Sequence, residues 1–328
     1  MAREREQAHP VTFGNKMVKV AVAGGTGDVG RTIVEVLKDN PRHEAVVFTR
    51  RATGNLLGVP SVIVDYSDVN SLRHILEEQQ IHTVISALGY DGDALSTAQL
   101  NLIRAADASS STQRFAPSAF ACAYTPDMID TLPALDDYFR AVDELKSSSL
   151  QWTIFMNGYF MDYLAPGKIK SYLRPLPSVI DIENKIAAVP GNGDVPITFT
   201  YSFDAARFVV ASLDAEEWPE ESRMAGDVAT WNSLVSLAEE ISGSQFQVLR
   251  DDIEKLQRGE VTELPIHALA YEHMSKRAFQ AFSAASSLWT QDPKIMHIAG
   301  EVNARFPEIQ TLTVRRLFEK CWSASASH

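Results

Sequence analysis

Apolar residues along this chain alternate between short continuous runs and stretches with helical spacing. The run at 17–23 is rich in Val and ends in glycines, which is typical of a buried parallel strand. In the next stretch, 28–38, the apolar side chains fall on one helical stripe, and Asn40 and Pro41 close the helix. The same alternation predicts strands at 45–48, 62–64, 83–88, 114–116 and 152–156, and helices at 71–79, about 95–106 and 133–146.

Strands that alternate with helices indicate a parallel sheet with right-handed crossovers. We therefore predict an α/β fold, a Rossmann-type doubly wound parallel sheet with a smaller, mainly helical C-terminal substrate lobe. The alternation loosens after residue 160, and Pro- and Gly-rich stretches at 165–178 and 189–196 are typical of loops at a boundary between lobes. Beyond them, the pattern predicts a strand at 197–200 and helices at 203–213 and 232–242.

These patterns divide the 328 residues into several parts, as expected for a chain longer than the about 250–300 residues that one core usually serves. Residues 1–16 are polar, lack the apolar segment of a secretory signal, and are expected to form a flexible tail. Residues 17–160 are predicted to form the cofactor domain, to which the segment at about 196–215 returns. Residues 161–195 and 216–328 are predicted to form the substrate lobe.

Composition and charge narrow the classes of partner. The chain is 45% hydrophobic and 22% charged, as in ordinary globular proteins, and a net charge of −12 without a long Lys/Arg run argues against nucleic-acid binding. No apolar run reaches the about 18 residues that span a bilayer, so we expect no membrane partner. Cys122 and Cys321 lie far apart, and the histidines are not paired at metal-ligand spacing. We therefore expect a cytoplasmic protein with reduced thiols and no bound metal.

The strongest chemical signal is the glycine-rich segment GGTGDVG at 24–30, which follows the first strand and opens the first helix. It satisfies both the G-x-G-x-x-G and the G-x-x-G-x-x-G spacing. Glycine permits the tight turn, lets the backbone approach a pyrophosphate, and lets the helix pack close to the strand. The helix N-terminus then attracts phosphate through unpaired N–H groups. The predicted cofactor contacts in this segment are Gly24, Thr26, Gly27, Asp28 and Val29.

The residue that follows the second strand indicates which dinucleotide binds. Arg50 lies twenty residues after Gly30, where an NAD site usually has an acid for the ribose hydroxyls. A guanidinium can instead pair bidentately with a 2′-phosphate, and Arg51 adds a second positive charge. We therefore predict NADP(H) as the cofactor; the alternative is that both arginines only solvate the loop.

Two further strand ends fit the same site. Asp65 follows the third strand and is expected either to accept a hydrogen bond from the adenine amino group or to cap a turn. The segment with Ala87 and Leu88 ends the fourth strand, where small residues let the backbone approach a ligand at the carboxyl edge of the sheet. Asp65, Ala87 and Leu88 are therefore included among the predicted cofactor contacts.

In their order and spacing, several segments of the chain resemble the NmrA-like and isoflavone-reductase-like family, the atypical short-chain dehydrogenases. They are VAVAGGTGDVG, VFTRR, VISALG, RFAPSAF, WTIFMNGYF, YSFDAARFV and GDVATWNSLVSLAEEISG, the last of which resembles fungal members most. The resemblance implies an NADPH-binding first domain and a smaller C-terminal lobe that covers the substrate. It matches Arg50 to the family's 2′-phosphate arginine and puts Pro117 at the cofactor.

Two departures from the family bear on catalysis. The P-S-E-F-G segment of the family's reductases is PSAFA at 117–121, and counting back from Thr153 puts Tyr138 where they carry a proton-handling lysine. A tyrosine with its ordinary pKa of about 10 can donate a proton at neutral pH. Arg140, two places on, can stabilise negative charge. Tyr138 is therefore the leading catalytic candidate, with aromatic packing in its helix as an equal alternative.

The turn after the sixth strand supplies two more candidates. In the resembling proteins this turn lies near the nicotinamide and the substrate, so Asn157 or Tyr159 is expected to orient a polar group there, with core packing as the alternative for Tyr159. The C-terminal lobe is also rich in aromatic side chains, which suits either a lid over a flat organic substrate or an ordinary core. These side chains are Trp231, Phe246, Tyr271, His273, Phe279, Phe282 and Trp289.

These observations predict an NADP(H)-dependent oxidoreductase that acts on a small aromatic or polycyclic metabolite in secondary-metabolite biosynthesis. Two alternatives follow from the departures at Ala119 and Tyr138. One is a redox-neutral isomerase or cyclase that uses NADP(H) transiently. The other is a non-enzymatic regulator that senses NADP(H) and binds a protein partner. The fold alone does not decide between them.

Overall fold

The computed structural model describes residues 17–89, 92 and 94–323; the predicted tail at 1–16 lies outside the described residues. The strands are β1 (Lys19–Ala23), β2 (Glu44–Thr49), β3 (Ser61–Ile63), β4 (Thr83–Ser86), β5 (Arg114–Ala116), β6 (Gln151–Trp152), β7 (Ile154–Met156), β8 (Tyr159–Phe160), β9 (Ile180–Asp181), β10 (Ile186–Pro190), β11 (Ile197–Thr200), β12 (Glu221–Arg223), β13 (Asp227–Ala229) and β14 (Gln247–Asp251).

The α-helices are of very different lengths, from four to fourteen residues. They are α1 (Asp28–Lys38), α2 (Val69–Glu78), α3 (Leu100–Asp107), α4 (Leu135–Lys146), α5 (Ser202–Ala211), α6 (Trp231–Ser242), α7 (Ile253–Gln257), α8 (Ala268–Tyr271), α9 (Lys276–Trp289), α10 (Pro293–Met296), α11 (Glu301–Arg305) and α12 (Val314–Trp322). A π-helical turn, Ala94–Gln99, leads directly into α3.

Six strands form a parallel sheet in the order β3-β2-β1-β4-β5-β6. Successive side chains of a strand point to opposite faces of the sheet, and here both faces are buried. In β1, Ala21 and Ala23 belong to the core shared with α2, α3 and α4, whereas Val20 and Val22 belong to the core shared with α1 and α5. The doubly wound Rossmann-type sheet predicted from the alternating pattern is therefore confirmed.

The first β–α–β unit shows why this sequence folds locally as it does. In α1, Ile33, Val34 and Leu37 are spaced to form one apolar stripe, and all three are buried. α5 packs against α1 on the same face of the sheet. This packing supports our proposal that the segment at about 196–215 returns to the cofactor domain.

The prediction of one strand at 152–156 is wrong, because this stretch is divided in the structure. β6 joins the large sheet beside β5, whereas β7 pairs with β12 in a separate two-stranded sheet. Thr153 stands at the division, where its Oγ1 lies 2.8 Å from the Oγ of Ser222 in a buried hydrogen bond. A short apolar run does not specify which neighbour each half of it pairs with.

β8 and later strands form two small three-stranded sheets, in the orders β14-β10-β9 and β13-β11-β8. Of their strands, the apolar pattern predicted only β11. β8, β9 and β13 are only two or three residues long, and β14 is mostly exposed. β10 is buried, but it runs into the stretch at 189–196 whose Pro and Gly content predicts a loop. Helices dominate the region after α6, as predicted. None of the helices within the described ranges is both long enough and apolar enough to cross a lipid bilayer.

Candidate active site

A cavity of about 1220 Å³ lies at the carboxyl edge of the six-stranded sheet. Open α/β sheets bind their ligands in crevices at this edge. One end, which we call the dinucleotide end, is lined by the loop after β1 and by residues that follow β2, β3 and β4. The other, the substrate end, is lined by residues that follow β5, by β8 and by one side of α9.

The glycine loop at the dinucleotide end is closely packed against the sheet. Gly24 has a φ of +78°, and a Cβ at this position would lie 2.4 Å from the carbonyl oxygen of Ala87. A Cβ on Gly30 would lie 2.3 Å from the carbonyl oxygen of Gly24. By contrast, a Cβ on Gly27 would have only that same oxygen within 4 Å, at 3.4 Å. Gly24 and Gly30 are therefore required by packing, whereas Gly27 leaves open space beside the loop.

The N-terminus of α1 forms the wall of this end of the cavity. Its N-cap residue, Gly27, is extended and offers no side chain to cap the first turn. The first N–H groups of a helix have no partner within the helix, and together they carry a partial positive charge. Thr26, Asp28 and Val29 line the cavity beside Gly27. This set of donors fits a diphosphate group.

Arg50 and Asp65 also line the dinucleotide end, whereas Arg51 is exposed and is not among the lining residues. The carboxylate of Asp65 accepts hydrogen bonds from the Ser67 hydroxyl at 2.6 Å and from the Ser67 N–H at 2.9 Å. These hydrogen bonds lower the pKa of Asp65. Asp65 therefore caps a turn and also faces the cavity, so the two roles considered from the sequence are compatible.

Ala87 and Leu88 line the cavity where the dinucleotide end meets the substrate end. Pro117 is not among the lining residues, but its neighbour Ser118 is. The Ser118 hydroxyl donates to the Leu88 carbonyl oxygen at 2.7 Å, and its N–H donates to the side-chain oxygen of Gln99 at 2.8 Å. Ser118 is not among the cofactor contacts predicted from the sequence, although it stands in the PSAFA segment that follows β5.

The two candidates on α4 do not reach the cavity, which corrects the expectation for both. Tyr138 is buried, and its ring packs edge-on against Tyr124 and Phe139, with centroids 5.2 and 5.0 Å apart. Tyr124 lines the cavity, but Tyr138 does not. Arg140 is on the outer side of α4, where it forms an ion pair with Asp137 at 3.0 Å. The helical position of Tyr138 follows from the sequence, whereas the side of α4 that faces the cavity does not.

Tyr159 does line the substrate end. Its hydroxyl lies 2.9 Å from the Oγ of Ser178, which lines the cavity too. Burial raises the pKa of Tyr159 to about 12, against the opposing effect of the Ser178 hydrogen bond. Tyr159 is therefore protonated at neutral pH and can donate a hydrogen bond. Asn157, by contrast, is fully buried, is not among the lining residues, and accepts a hydrogen bond from Thr200 through its backbone carbonyl.

His267, which does not line the cavity, is hydrogen-bonded to Ser178, which does. Its Nδ1 accepts a hydrogen bond from the N–H of Leu264 at 3.3 Å, which leaves Nε2 to donate to the carbonyl oxygen of Ser178 at 3.0 Å. The ring also packs against Phe279, with centroids 4.7 Å apart. Burial lowers the pKa of His267, so the ring is neutral at neutral pH. Neither Ser178 nor His267 carries a local sequence signal, because the two residues meet across 89 positions of the chain.

Most of the remaining substrate end is apolar. Three of the C-terminal residues singled out in the sequence line it, namely His273, Phe282 and Trp289, whereas Trp231 and Phe279 are buried in the core. Cys122 also lines this end, and burial raises the pKa of its thiol to about 12. The other apolar lining residues include Leu132, Leu176, Met274 and Met296 together with Phe120, Tyr124, Phe160 and Tyr163. Among the residues that the structure describes, no group of three or more His, Cys, Asp or Glu side chains is arranged to hold a metal ion.

Comparison with known proteins places these features in context. A family profile described as NAD(P)H-binding matches residues 24–174. Oxidoreductase BOA1 of Botryotinia fuckeliana (strain B05.10) is 36% identical to this chain, over 89% of this chain and 96% of that protein. An isoflavone reductase homolog, A622-like, of Nicotiana tabacum is 24% identical, over 70% of this chain and 76% of that protein.

One solved structure shows the same fold. The binary complex of leucoanthocyanidin reductase with NADPH from Vitis vinifera has a TM-score of 0.68 to this chain and is 18% identical to it. The similarity covers 92% of this chain and 98% of that chain. The cofactor sheet and the second half of the chain therefore both have counterparts in one known architecture.

Proposed function

Because the chain belongs to the NmrA-like and isoflavone-reductase-like family of NAD(P)H-binding oxidoreductases, we propose that it catalyses the NADP(H)-dependent reduction or oxidation of a small aromatic or polycyclic metabolite in secondary metabolism. The observation that carries this proposal is the continuous cavity between the glycine loop and an aromatic-lined end. Its volume of about 1220 Å³ exceeds the about 300–1,000 Å³ of an ordinary small-molecule site, which leaves room for a substrate beside a dinucleotide.

The polar groups at the dinucleotide end match three parts of NADP(H): the diphosphate, the 2′-phosphate and the adenine. The first turn of α1 would hold the diphosphate, because its N–H groups are uncapped. Arg50 would pair with the 2′-phosphate, since a guanidinium matches phosphate with two parallel hydrogen bonds. Asp65 would accept from the adenine amino group with the carboxylate edge that faces the cavity. The arrangement favours NADP(H) over NAD(H) because no acid follows β2.

At the substrate end, Tyr159 is the catalytic candidate that replaces Tyr138. A nicotinamide held at the dinucleotide end would supply or accept the hydride. Tyr159 would donate a hydrogen bond or a proton to the substrate oxygen that becomes negative, because its raised pKa keeps the hydroxyl protonated. Ser178 would in turn donate to the Tyr159 oxygen at 2.9 Å. His267 acts only through Ser178 and is a positioning residue.

The redox-neutral alternative is supported by one observation. The position that carries the family's lysine is occupied by Tyr138, whose ring is packed away from the cavity. A chain that handles protons with Tyr159 instead could return the hydride to the same molecule, so that isomerisation or ring closure is the net result. The regulator alternative has less support, because sensing NADP(H) does not require an apolar substrate end lined by α9.

The test is turnover of a panel of aromatic ketones, quinones and enones with purified protein. The absorbance of NADPH at about 340 nm and the amount of product are followed together, since hydride transfer from NADPH removes this absorbance. Oxidation of NADPH in step with product formation supports the oxidoreductase. Product formation with a trace of cofactor and no net change in absorbance supports the isomerase. Tight NADPH binding without any product across the panel would favour the regulator.

A further inference from the structure

A segment from the second half of the chain crosses the outer side of α1. We call residues 168–176 the strap. Lys170 forms an ion pair with Glu35 of α1, and the Tyr172 hydroxyl donates to the other carboxylate oxygen of Glu35 at 2.6 Å. The guanidinium of Arg31 lies over the Tyr172 ring, 4.3 Å from its centroid. The strap is therefore bound to α1 through residues that do not line the cavity.

The end of the strap reaches the dinucleotide end itself. Arg174 lines the cavity together with the glycine loop, and its Nε donates to the carboxylate of Asp28 at 3.0 Å. The side chains of Arg174 and Asp28 are 56% and 32% exposed, so the pair is well hydrated and contributes little to folding stability. The Arg174 guanidinium is therefore a partly exposed cation beside the glycine loop.

The charge balance of the loop explains why a cation is needed there. The segment at 24–30 contains no basic residue, and Asp28 adds a negative charge at the point where a diphosphate would bind. The N-terminus of α1 supplies only a partial positive charge. Arg50 follows β2 and serves the 2′-phosphate in the proposed function. Without a further cation, the carboxylate of Asp28 would oppose the binding of a diphosphate.

We propose that Arg174 is a direct ligand of the dinucleotide diphosphate, carried to the glycine loop by the strap. Its guanidinium neutralises Asp28 in the free protein and pairs with a phosphate oxygen when the dinucleotide is bound. This inference rests on the proposed use of the dinucleotide end for NADP(H). Since both nicotinamide dinucleotides contain a diphosphate, Arg174 sets the strength of binding, whereas Arg50 sets the choice between them.

Calorimetric titration with two probes separates these roles. NADPH carries both the diphosphate and the 2′-phosphate, whereas adenosine 2′-monophosphate carries only the latter. Arg174→Gln is expected to weaken NADPH binding about tenfold, the loss of one charge-assisted hydrogen bond, and to leave adenosine 2′-monophosphate unaffected. Arg50→Gln should weaken the binding of both probes. Arg174→Lys, which keeps the charge and loses the planar fork, should lie between Arg174→Gln and the unmodified protein.

Two matched variants exclude a purely structural role of the strap. Lys170→Gln removes the same charge from the same strap, at a contact that lies outside the cavity. Asp28→Asn breaks the pair with Arg174 but keeps the guanidinium. Lys170→Gln should retain NADPH affinity, whereas Asp28→Asn should raise it, because a negative charge is removed beside the phosphate. The melting temperatures of all variants are measured alongside the titrations.

Three results would overturn the inference. In the first, Arg174→Gln, Lys170→Gln and Asp28→Asn all weaken NADPH binding equally, so that only attachment of the strap matters. In the second, Arg174→Gln weakens both probes alike. In the third, it weakens neither. If the unmodified protein binds neither probe, the proposed function fails first, and that outcome is visible before any variant is made.

Discussion

The two ends of the cavity are built from different chemical groups. The dinucleotide end offers mainly backbone N–H groups, which the loop after β1 and the first turn of α1 supply within seven consecutive residues. The substrate end offers side chains, and the hydrogen-bonded series Tyr159, Ser178 and His267 is assembled from separate segments of the chain. Backbone groups are insensitive to most substitutions nearby, whereas a side-chain relay is lost with any member. We therefore expect substitutions to impair the dinucleotide end mainly when they disturb its packing, and the substrate end when they remove a single functional group.

Replacement of Gly30 by alanine is expected to have the largest effect. Its Cβ would lie 2.3 Å from the Gly24 carbonyl oxygen, so α1 would have to move away from the loop. We expect a loss of about 3 kcal/mol of unfolding free energy together with loss of NADPH binding, measured by urea unfolding and calorimetry. Gly27→Ala is the control, since its Cβ meets only one atom at 3.4 Å. It should lower stability by no more than about 1 kcal/mol, the cost of alanine at a helix N-cap, and weaken NADPH binding. Unchanged affinity in Gly27→Ala would contradict close approach of the backbone to the ligand.

Tyr159→Phe tests the other end. Loss of the hydroxyl should lower kcat by about 100-fold, within the range for a positioned acid, with NADPH affinity unchanged. The pKa of about 12 also predicts that this group causes no loss of rate up to about pH 10, because the protonated form persists far above the ordinary range. Tyr138→Phe is the matched control on α4 and should leave kcat unchanged. Equal losses in the two variants would remove the distinction that we draw between these tyrosines.

Arg50→Gln tests the choice between NADP(H) and NAD(H) at the dinucleotide end, because it removes the side chain on which this choice is proposed to depend. NADPH affinity should fall by about 1.5–3 kcal/mol, the usual contribution of a hydrogen bond to a charged group. NADH affinity should hardly change, since NADH has no 2′-phosphate. Arg51→Gln is the control, as this side chain does not line the cavity. A similar loss of NADPH affinity in Arg51→Gln would show that the two arginines act only as a diffuse positive charge.

His267 gives the smallest expected effect, through pH. Burial lowers the pKa of His267 in the folded protein. As pH falls below the ordinary histidine range, this side chain is therefore protonated in the unfolded chain before it is protonated in the folded one. The contribution of His267 to stability is therefore present above about pH 6.5 and decreases as pH falls towards its lowered pKa. Urea unfolding at about pH 7.5 and 5.5 should show a larger loss for the unmodified protein than for His267→Gln. An equal loss in both proteins would mean that other groups, such as the buried His43, account for the effect.

The dinucleotide end could be located from the sequence because its groups belong to short contiguous segments. A strand that ends in GGTGDVG specifies both the turn and the helix start, and the residues after β2 and β3 follow from counting. The chain after β5 was harder to predict, since β6 and β7 join different sheets on either side of Thr153, whose hydroxyl is hydrogen-bonded to Ser222, 69 residues later.

Most of the substrate end could not be predicted from the sequence, because its residues also meet across long stretches of the chain. Counting back from Thr153 puts Tyr138 at the family's lysine position but does not predict its packing against Tyr124, outside the cavity lining. Ser178 and Arg174 lie in a stretch whose Pro and Gly content predicts only a loop. Their contacts are with residues far away in the chain, and no local periodicity encodes such contacts.

The thiol at Cys122 has a consequence for the kinds of compound that this cavity can process. Addition to an electrophilic carbon requires the thiolate, and a thiol whose pKa is raised to about 12 is almost entirely protonated at neutral pH. An enone or quinone in the cavity would therefore alkylate Cys122 much more slowly than a thiol of ordinary pKa. Burial of this one side chain thus lowers the chance that an electrophilic compound inactivates the protein from within the cavity.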